Sequence, residues 1–209
     1  MYVRNSMTTN PYTVSPEATI AEAMDLMRNK SIKRLPVVKN GQLVGIITHS
    51  QLLEVSPSPA TSLSVFEINY LLAKTKIDGI MTKKVITVTP DTLLEEASLI
   101  MRKYKIGGIP VLENNELVGI ITETDVFDAF IEIMGFRDKG ARITIEVGTD
   151  HPGVLAEVAG IIAGFNVNIT HIAAFRSELI VRINTANIKE IIEAIEKSGY
   201  KVISVIKND

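Results

Sequence analysis

Apolar residues recur along this chain at two spacings, and the change from one to the other divides it into elements. In "SPEATIAEAMDLMRNKSI" (15–32), Ile20, Ala23, Met24 and Met27 fall three and four apart, which predicts an amphipathic helix with Ser15 as N-cap and Pro16 in the first helical position. "RLPVVKNGQLVGIIT" (34–48) then reads as two short strands around Asn40-Gly41, a dipeptide suited to a two-residue hairpin because both residues tolerate positive φ. "HSQLLEV" (49–55) returns to helical spacing. The order then repeats: Thr89 and Pro90 precede Leu93, Ala97, Ile100 and Met101, Asn114-Asn115 stands in the hairpin, and "ETDVFDAFIEIM" (123–134) is helical. Shifted by 74 residues, Met7–Leu53 matches Met81–Phe127 without a gap at about 19 of 47 positions, which identifies an internal duplication. Its skeleton is Met-Thr, Val-x-Pro, Pro-Val and Leu-Val-Gly-Ile-Ile-Thr.

Between the copies, "SPSPATSL" is a Pro/Ser linker, whereas "SVFEINYLLAK" places Val65, Ile68 and Leu72 at helical spacing and predicts an extra helix packed on the repeat pair. From Ala141 the pattern changes. "ARITIEVGT" alternates as a strand, and "DHPGVLAEVAGIIAGF" is a helix. "NVNITHIAAF" and "ELIVRINT" are strands; "NIKEIIEAIEKSGY" is a helix with Ile188, Ile191, Ile192 and Ile195 on one side and Gly199 as its stop; "KVISVI" is a last strand. This β-α-β-β-α-β order is that of a ferredoxin-like sandwich. The fold class is α+β, with domains expected at 1–56 and 80–136 for the repeats, 57–79 for the linker with its helix, and 140–209 for the C-terminal domain.

Composition narrows the partners. The net charge of -2 over 209 residues lacks the basic excess that favours nucleic acid or anionic membrane, so neither is expected. With no cysteine there is no disulfide framework or thiolate metal site, which fits a reducing cytoplasm. The opening residues lack a signal-peptide pattern, and no apolar stretch approaches the ~20 residues that span a bilayer. A cytoplasmic protein is the expectation.

The duplicated unit, "P-V…L-V-G-I-I-T-x-x-D/Q", resembles a CBS-domain pair, which implies a cleft for adenosine-containing nucleotides between the repeats. The "D-x-P-G-V-L-A-E-V…N-V-N-I" segment resembles an ACT domain, which implies an amino-acid or other small effector at a paired interface. CBS, CBS, ACT in this order, with this linker, is similar to the acetoin-utilisation B protein (AcuB-like) group. The resemblance implies a homodimer, and a regulatory ligand such as AMP, ADP, ATP or a related adenosyl compound rather than a required cofactor.

The copies differ where a ligand is expected. Thr48-x-x-Gln51 and Thr122-x-x-Asp125 both suit a helix capping box, which alone accounts for the threonines. A carboxylate can also accept bonds from adjacent ribose hydroxyls, and Asp125 matches the position where the CBS family supplies its ribose ligand. Gln51 departs from it. The second-repeat site is therefore expected to bind more tightly, with the first weak or vacant. Lys33 and Arg34 precede Leu35-Pro36 where the second copy has Gly107 and Gly108 before Ile109-Pro110. Pseudo-twofold symmetry would aim the cations at phosphate, while the glycines admit an adenine ring. Thr82 with Lys83 and Lys84 adds positive potential. The candidate nucleotide set is Thr122, Asp125, Thr48, Arg34, Lys33, Thr82, Lys84, Gly108, Ile109 and Pro110; solvated surface charge is the bland alternative for the cations.

In the ACT-like segment the effector set is Asp150, Gly153, Val154, Leu155 and Asn168, with free N–H groups at the helix start available to a carboxylate. Helix capping by Asp150 and a turn role for Asn168 explain the same residues structurally. His49, His151 and His171 have no metal-ligand spacing, and no nucleophile elbow, phosphate loop or dinucleotide fingerprint occurs. A non-catalytic sensor is the leading expectation. The alternatives are an oligomerising subunit that regulates a target enzyme with vestigial pockets, and an enzyme of acetoin breakdown.

Overall fold

The computed structural model describes residues 1–56, 64–148 and 151–208. It divides into two compact units, Met1–Val126 and Phe127–Asp209.

In the first unit the elements are β1 (Thr8–Thr9), α1 (Ile20–Lys30), β2 (Arg34–Lys39), β3 (Gln42–Thr48), α2 (His49–Val55), α3 (Val65–Lys74), α4 (Leu94–Tyr104), β4 (Gly108–Glu113), β5 (Glu116–Thr122) and the start of α5 (Glu123–Ile133). Both hairpins form as the sequence predicts. Asn40 and Gly41 have φ of 51° and 79°, and Asn114 and Asn115 have 50° and 68°. Each hairpin also carries a register shift, between Val37 and Val38 and between Val111 and Leu112.

The two amphipathic helices start later than expected. Ser15 and Pro16 do not cap α1: Ala18 N donates to Ser15 O in a turn, and Thr19 is the N-cap, accepting from Glu22 N while Glu22 Oε2 accepts from Thr19 N. Thr89 and Pro90 likewise form a turn, α4 begins after Leu93, and that cap makes no side-chain hydrogen bond. Leu94, not Leu93, is buried, at 5% against 46% exposure. The cause lies far away in sequence. Ile20 N bonds Thr75 O, Ile77 N bonds Ala18 O and Asp78 N bonds Pro16 O, so the backbone ahead of α1 is spent on residues 75–78 rather than on a helical turn. In the second copy Leu94 N bonds Met1 O, Val3 N bonds Thr92 O and Arg4 N bonds Pro90 O.

These bonds show an exchange. The leading segment of each copy is paired into the other: Thr8–Thr9 is an edge strand against Gly119 and Ile120 of β5, and Thr82 bridges Ile46 of β3. The glycine of Leu-Val-Gly-Ile-Ile-Thr exists for this crossing. A Cβ at Gly45 would lie 2.5 Å from Met81 Sδ, and one at Gly119 would lie 2.7 Å from Met7 Sδ. The core of the first copy contains Ile20, Ala23, Met27, Leu35, Val37, Ile47 and Leu52 together with Ile77 and Met81 from the exchanged segment. Linker helix α3 carries a Ser64–Glu67 capping box and contributes Leu72 to that core, but none of its residues is fully buried. Of the Pro/Ser stretch expected as linker, residues 57–63 lie outside the described residues.

The second unit contains β6 (Gly140–Glu146), α6 (Val154–Ala163), β7 (Ile169–Phe175), β8 (Glu178–Ile183), α7 (Lys189–Lys197) and β9 (Lys201–Asn208). The sheet order is β7-β8-β6-β9 with every pair antiparallel, the ferredoxin-like arrangement. Ile143, Ile145, Val181 and Ile183 pack against Val158 and Ile162 of α6 and Ile191 and Ile195 of α7. Gly199 follows α7 at φ 94°, a left-handed stop. No helix among the described residues is long and apolar enough to cross a membrane.

Candidate functional site

Among the described residues, a cleft on each repeat lies between the copies of the duplicated unit. The pseudo-twofold shift of 74 residues maps one onto the other nearly residue for residue. The first, about 700 Å³, is lined by Ile46, Thr48, His49, Ser50 and Gln51, with Thr82, Val85 and Ile86 from the exchanged segment. The second, about 400 Å³, is lined by the equivalents Ile120, Thr122, Glu123, Thr124 and Asp125, with Thr8, Pro11 and Tyr12. Both borrow the start of the opposite hairpin: Lys105–Gly108 and Pro110 in one, Ser31–Arg34 and Pro36 in the other. The expected nucleotide set is thereby split. Thr82, Lys84, Gly108 and Pro110 line the Gln51 cleft, Lys33 and Arg34 line both, and Ile109 is fully buried in the core and lines neither. Lys83 pairs with Asp78 at 3.1 Å instead.

Both capping boxes form. Thr48 N and Oγ1 each donate to Gln51 Oε1 at 3.0 Å, and Thr122 N and Oγ1 each donate to Asp125 Oδ2 at 2.7 Å. What remains of each side chain differs. The Gln51 amide nitrogen donates to Thr82 Oγ1 at 2.9 Å, tying α2 to the exchanged segment. In Asp125 the cap uses one carboxylate oxygen, and Oδ1 is left for a hydroxyl donor.

Arg34 lines both clefts, and its contact with the glycines adds to the arrangement expected. Its side chain lies over the glycines: a Cβ at Gly107 would fall 2.6 Å from Arg34 Nη2 and 2.9 Å from Glu123 Oε2, and one at Gly108 would fall 2.8 Å from Arg34 Cδ. The bare backbone there admits the guanidinium stem, which takes the space expected for an adenine ring. Burial pulls Arg34 below its ordinary pKa, and the charges of Glu123 and Asp125 oppose that fall. The guanidinium is thus a half-buried cation shared between the clefts.

Thr8, Tyr12 and Glu123 in one cleft, and His49, Tyr104 and Lys105 in the other, escaped the motif reading. The repeat offset was the available signal for Thr8, which it pairs with Thr82, while Glu123 and His49 adjoin Thr122 and Thr48; Tyr12, Tyr104 and Lys105 map to Ile86, Lys30 and Ser31 and gave no such signal. Lys30 sits 4.8 Å from the Tyr12 ring, a cation–π contact at the rim.

In the second unit, Gly153 adopts φ 106° at the start of α6. Val154 is buried at 6% exposure and serves the core, whereas Leu155 is 51% exposed. Asn168 N donates to Asn184 Oδ1 at 3.1 Å and its carbonyl accepts from Asn184 N, a strand-to-strand tie. Asp150 lies outside the described residues. His151 is exposed and His171 approaches Asp138 at 3.3 Å; among the described residues no cluster of three acidic, histidine or cysteine side chains could hold a metal.

The CBS domain family matches residues 3–58 and 77–132, and the ACT domain family matches residues 141–199. The chain belongs to the CBS domain family. It carries a CBS pair followed by an ACT domain, both regulatory domains, in an α+β architecture. An inosine-5'-monophosphate dehydrogenase from Korarchaeum cryptofilum is 33% identical over 180 residues; the alignment covers 86% of this chain but only 34% of the dehydrogenase. Among solved structures, a Vibrio cholerae chain assigned to acetoin utilization (AcuB) is 30% identical with a TM-score of 0.54, covering 66% of this chain and 95% of that one, which places this CBS protein with AcuB-like chains. The CBS domain pair of protein MJ0100, in complex with 5'-methylthioadenosine and S-adenosyl-L-methionine, is 30% identical with a TM-score of 0.52, covering 62% and 95%.

Proposed function

We propose that this CBS protein is a non-catalytic sensor in which an adenosine-containing compound binds the repeat pair and biases the arrangement of the rest of the chain. The observation that carries this reading is the Asp125 carboxylate, which completes the helix cap with one oxygen and leaves the other in a cleft of about 400 Å³ to accept from ribose. The adenosyl ligands of MJ0100 support the ligand class. A small effector, an amino acid in the leading version, binds at the ACT domain near Gly153, Leu155, Asn168 and Asp150. Communication between the two ligands requires each to prefer one conformation, typically by about 1–3 kcal/mol. The physiological setting in this reading is acetoin utilisation, which the Vibrio cholerae relative supports, and the location is the cytoplasm.

The test is calorimetry of the full chain with AMP, ATP and S-adenosyl-L-methionine, beside mass spectrometry of small molecules released on denaturation. Micromolar binding of at least one compound, weakened in Asp125→Ala, is expected. Absence of binding by all three sinks the proposal.

A second reading, an oligomerising subunit that regulates a target enzyme, draws on exposed apolar side chains. Phe66 and Tyr70 on α3 are 87% and 63% exposed, and Phe127 and Phe130 on α5 are 66% and 60% exposed. A homodimer is common to both readings, and light scattering of the purified chain tests it. A stoichiometric co-purifying enzyme, with nucleotide binding indifferent to Asp125→Ala, favours the second.

A further inference from the structure

The two clefts share a frame but not a charge. Lys33, Arg34, Lys84 and Lys105 line the Gln51 cleft with no aspartate or glutamate among its lining residues. In the Asp125 cleft Lys33 and Arg34 face Glu123 and Asp125. The difference comes from a few equivalent positions: His49 and Gln51 stand where Glu123 and Asp125 do, and Lys105 stands where Ser31 does. The Gln51 cleft is also the larger, about 700 against 400 Å³. It lacks a carboxylate to clamp ribose, and its amide nitrogen is engaged by Thr82. Binding there must come from charge.

We infer that the clefts select ligands by charge: the Gln51 cleft takes the polyphosphate form of an adenosine nucleotide, and the Asp125 cleft takes an adenosyl compound carrying no phosphate. This rests on the proposal that adenosine compounds bind the repeat pair, and it gives the first cleft an occupant where sequence alone suggested a weak or vacant site. A triphosphate in the Asp125 cleft would meet two like charges, Glu123 and Asp125, each able to repel it. In the Gln51 cleft the charged lining residues it meets are cations, Lys33, Arg34, Lys84 and Lys105. Arg34 makes the preference mutual. It lies over Gly107 near Glu123, so phosphate that draws it toward the Gln51 cleft leaves the Asp125 cleft more negative and less hospitable to anions.

The experiment titrates the full chain with two probes, ATP and 5'-methylthioadenosine, in three backgrounds: the parent, Lys84→Gln with Lys105→Asn, and Asp125→Asn. Lys84 and Lys105 are exposed, and asparagine tolerates the left-handed backbone that Lys105 adopts at φ 54°, so the double variant keeps its fold. The double variant is expected to weaken ATP by about tenfold, and to flatten the salt dependence of its binding, while leaving 5'-methylthioadenosine within about twofold. Asp125→Asn is expected to do the reverse. If both probes bind and both weaken in the same variant, the charge partition is overturned while the sensor reading stands. If neither probe binds the parent chain, both fall together.

Discussion

The Gln51 and Asp125 clefts are built from the same five-residue frame, the same exchanged segment and the same hairpin start, yet they offer a ligand different chemistry. The frame tolerates the difference because a helix cap needs only an acceptor at the third position, and an amide oxygen serves as well as a carboxylate. That position can vary without touching the fold. The amide spends its remaining group on Thr82, while the carboxylate keeps an oxygen in reserve. Duplication thus fixed the scaffold twice and left the binding chemistry of each copy to a few substitutions.

The largest effect expected comes from breaking the scaffold itself. Gly45→Val drives a side chain into Met81 Sδ and Thr82 O, and Gly119→Val does the same against Met7 Sδ and Thr8 O. Overpacking of this kind costs about 1–3 kcal/mol, and each variant should disturb its own cleft first. Urea denaturation gives the stability loss and ligand titration gives the cleft affected; equal loss of both clefts in either variant means the copies do not act separately. Next is Asp125→Ala, which removes the carboxylate half of the capping box, worth up to about 1 kcal/mol, together with the ribose acceptor, lowering adenosyl affinity by roughly tenfold or more. Asp125→Asn separates these, since it preserves the cap; retained stability with lost affinity is the expected pair of readouts.

Gln51→Asp sharpens the comparison from the other side. It gives up the bond to Thr82, about 0.5–1.5 kcal/mol, and should raise phosphate-free adenosyl binding in that cleft severalfold. Unchanged affinity by calorimetry would show that the carboxylate is not what distinguishes the two. The smallest effect is a pH dependence confined to one copy. Hydrogen bonds from the Thr19 backbone and hydroxyl hold the Glu22 carboxyl below its ordinary 4.5. A depressed carboxylate contributes stability above its unfolded value and loses it as pH falls through the folded one, so the start of α1 should fray below about pH 4.5. The start of α4 has no side-chain cap to lose. Amide exchange at the two helix starts on acidification measures the contrast.

Much of this was legible from residues alone. Asn40-Gly41 and Asn114-Asn115 announced their turns, because positive φ is a local property of those residue types. The order of the ACT domain's elements followed from periodicity, and Asp125 stood out because its counterpart is an amide. The helix starts were misjudged, since Ser15-Pro16 is a good local start signal that loses to hydrogen bonds with residues 75–78. A site on each repeat was expected, but which residues serve which was not assigned: Thr82 and Asp125 line separate clefts. Arg34 was aimed at the cleft and lines both clefts, but its position over Gly107 and Gly108, 73 and 74 positions along the chain, was not legible.

The amino-acid order by itself determined the duplication, visible on aligning the chain with itself, and the hairpins, capping boxes and helical and strand periods, each of which depends on residues within a turn or two of each other. Only the tertiary structure decided that each copy lends its first residues to the other, that this lending makes two clefts, and that one arginine serves both. Those outcomes rest on contacts between residues some 70 positions apart, and which distant backbone groups pair is set by the packing of the whole unit rather than by local preference.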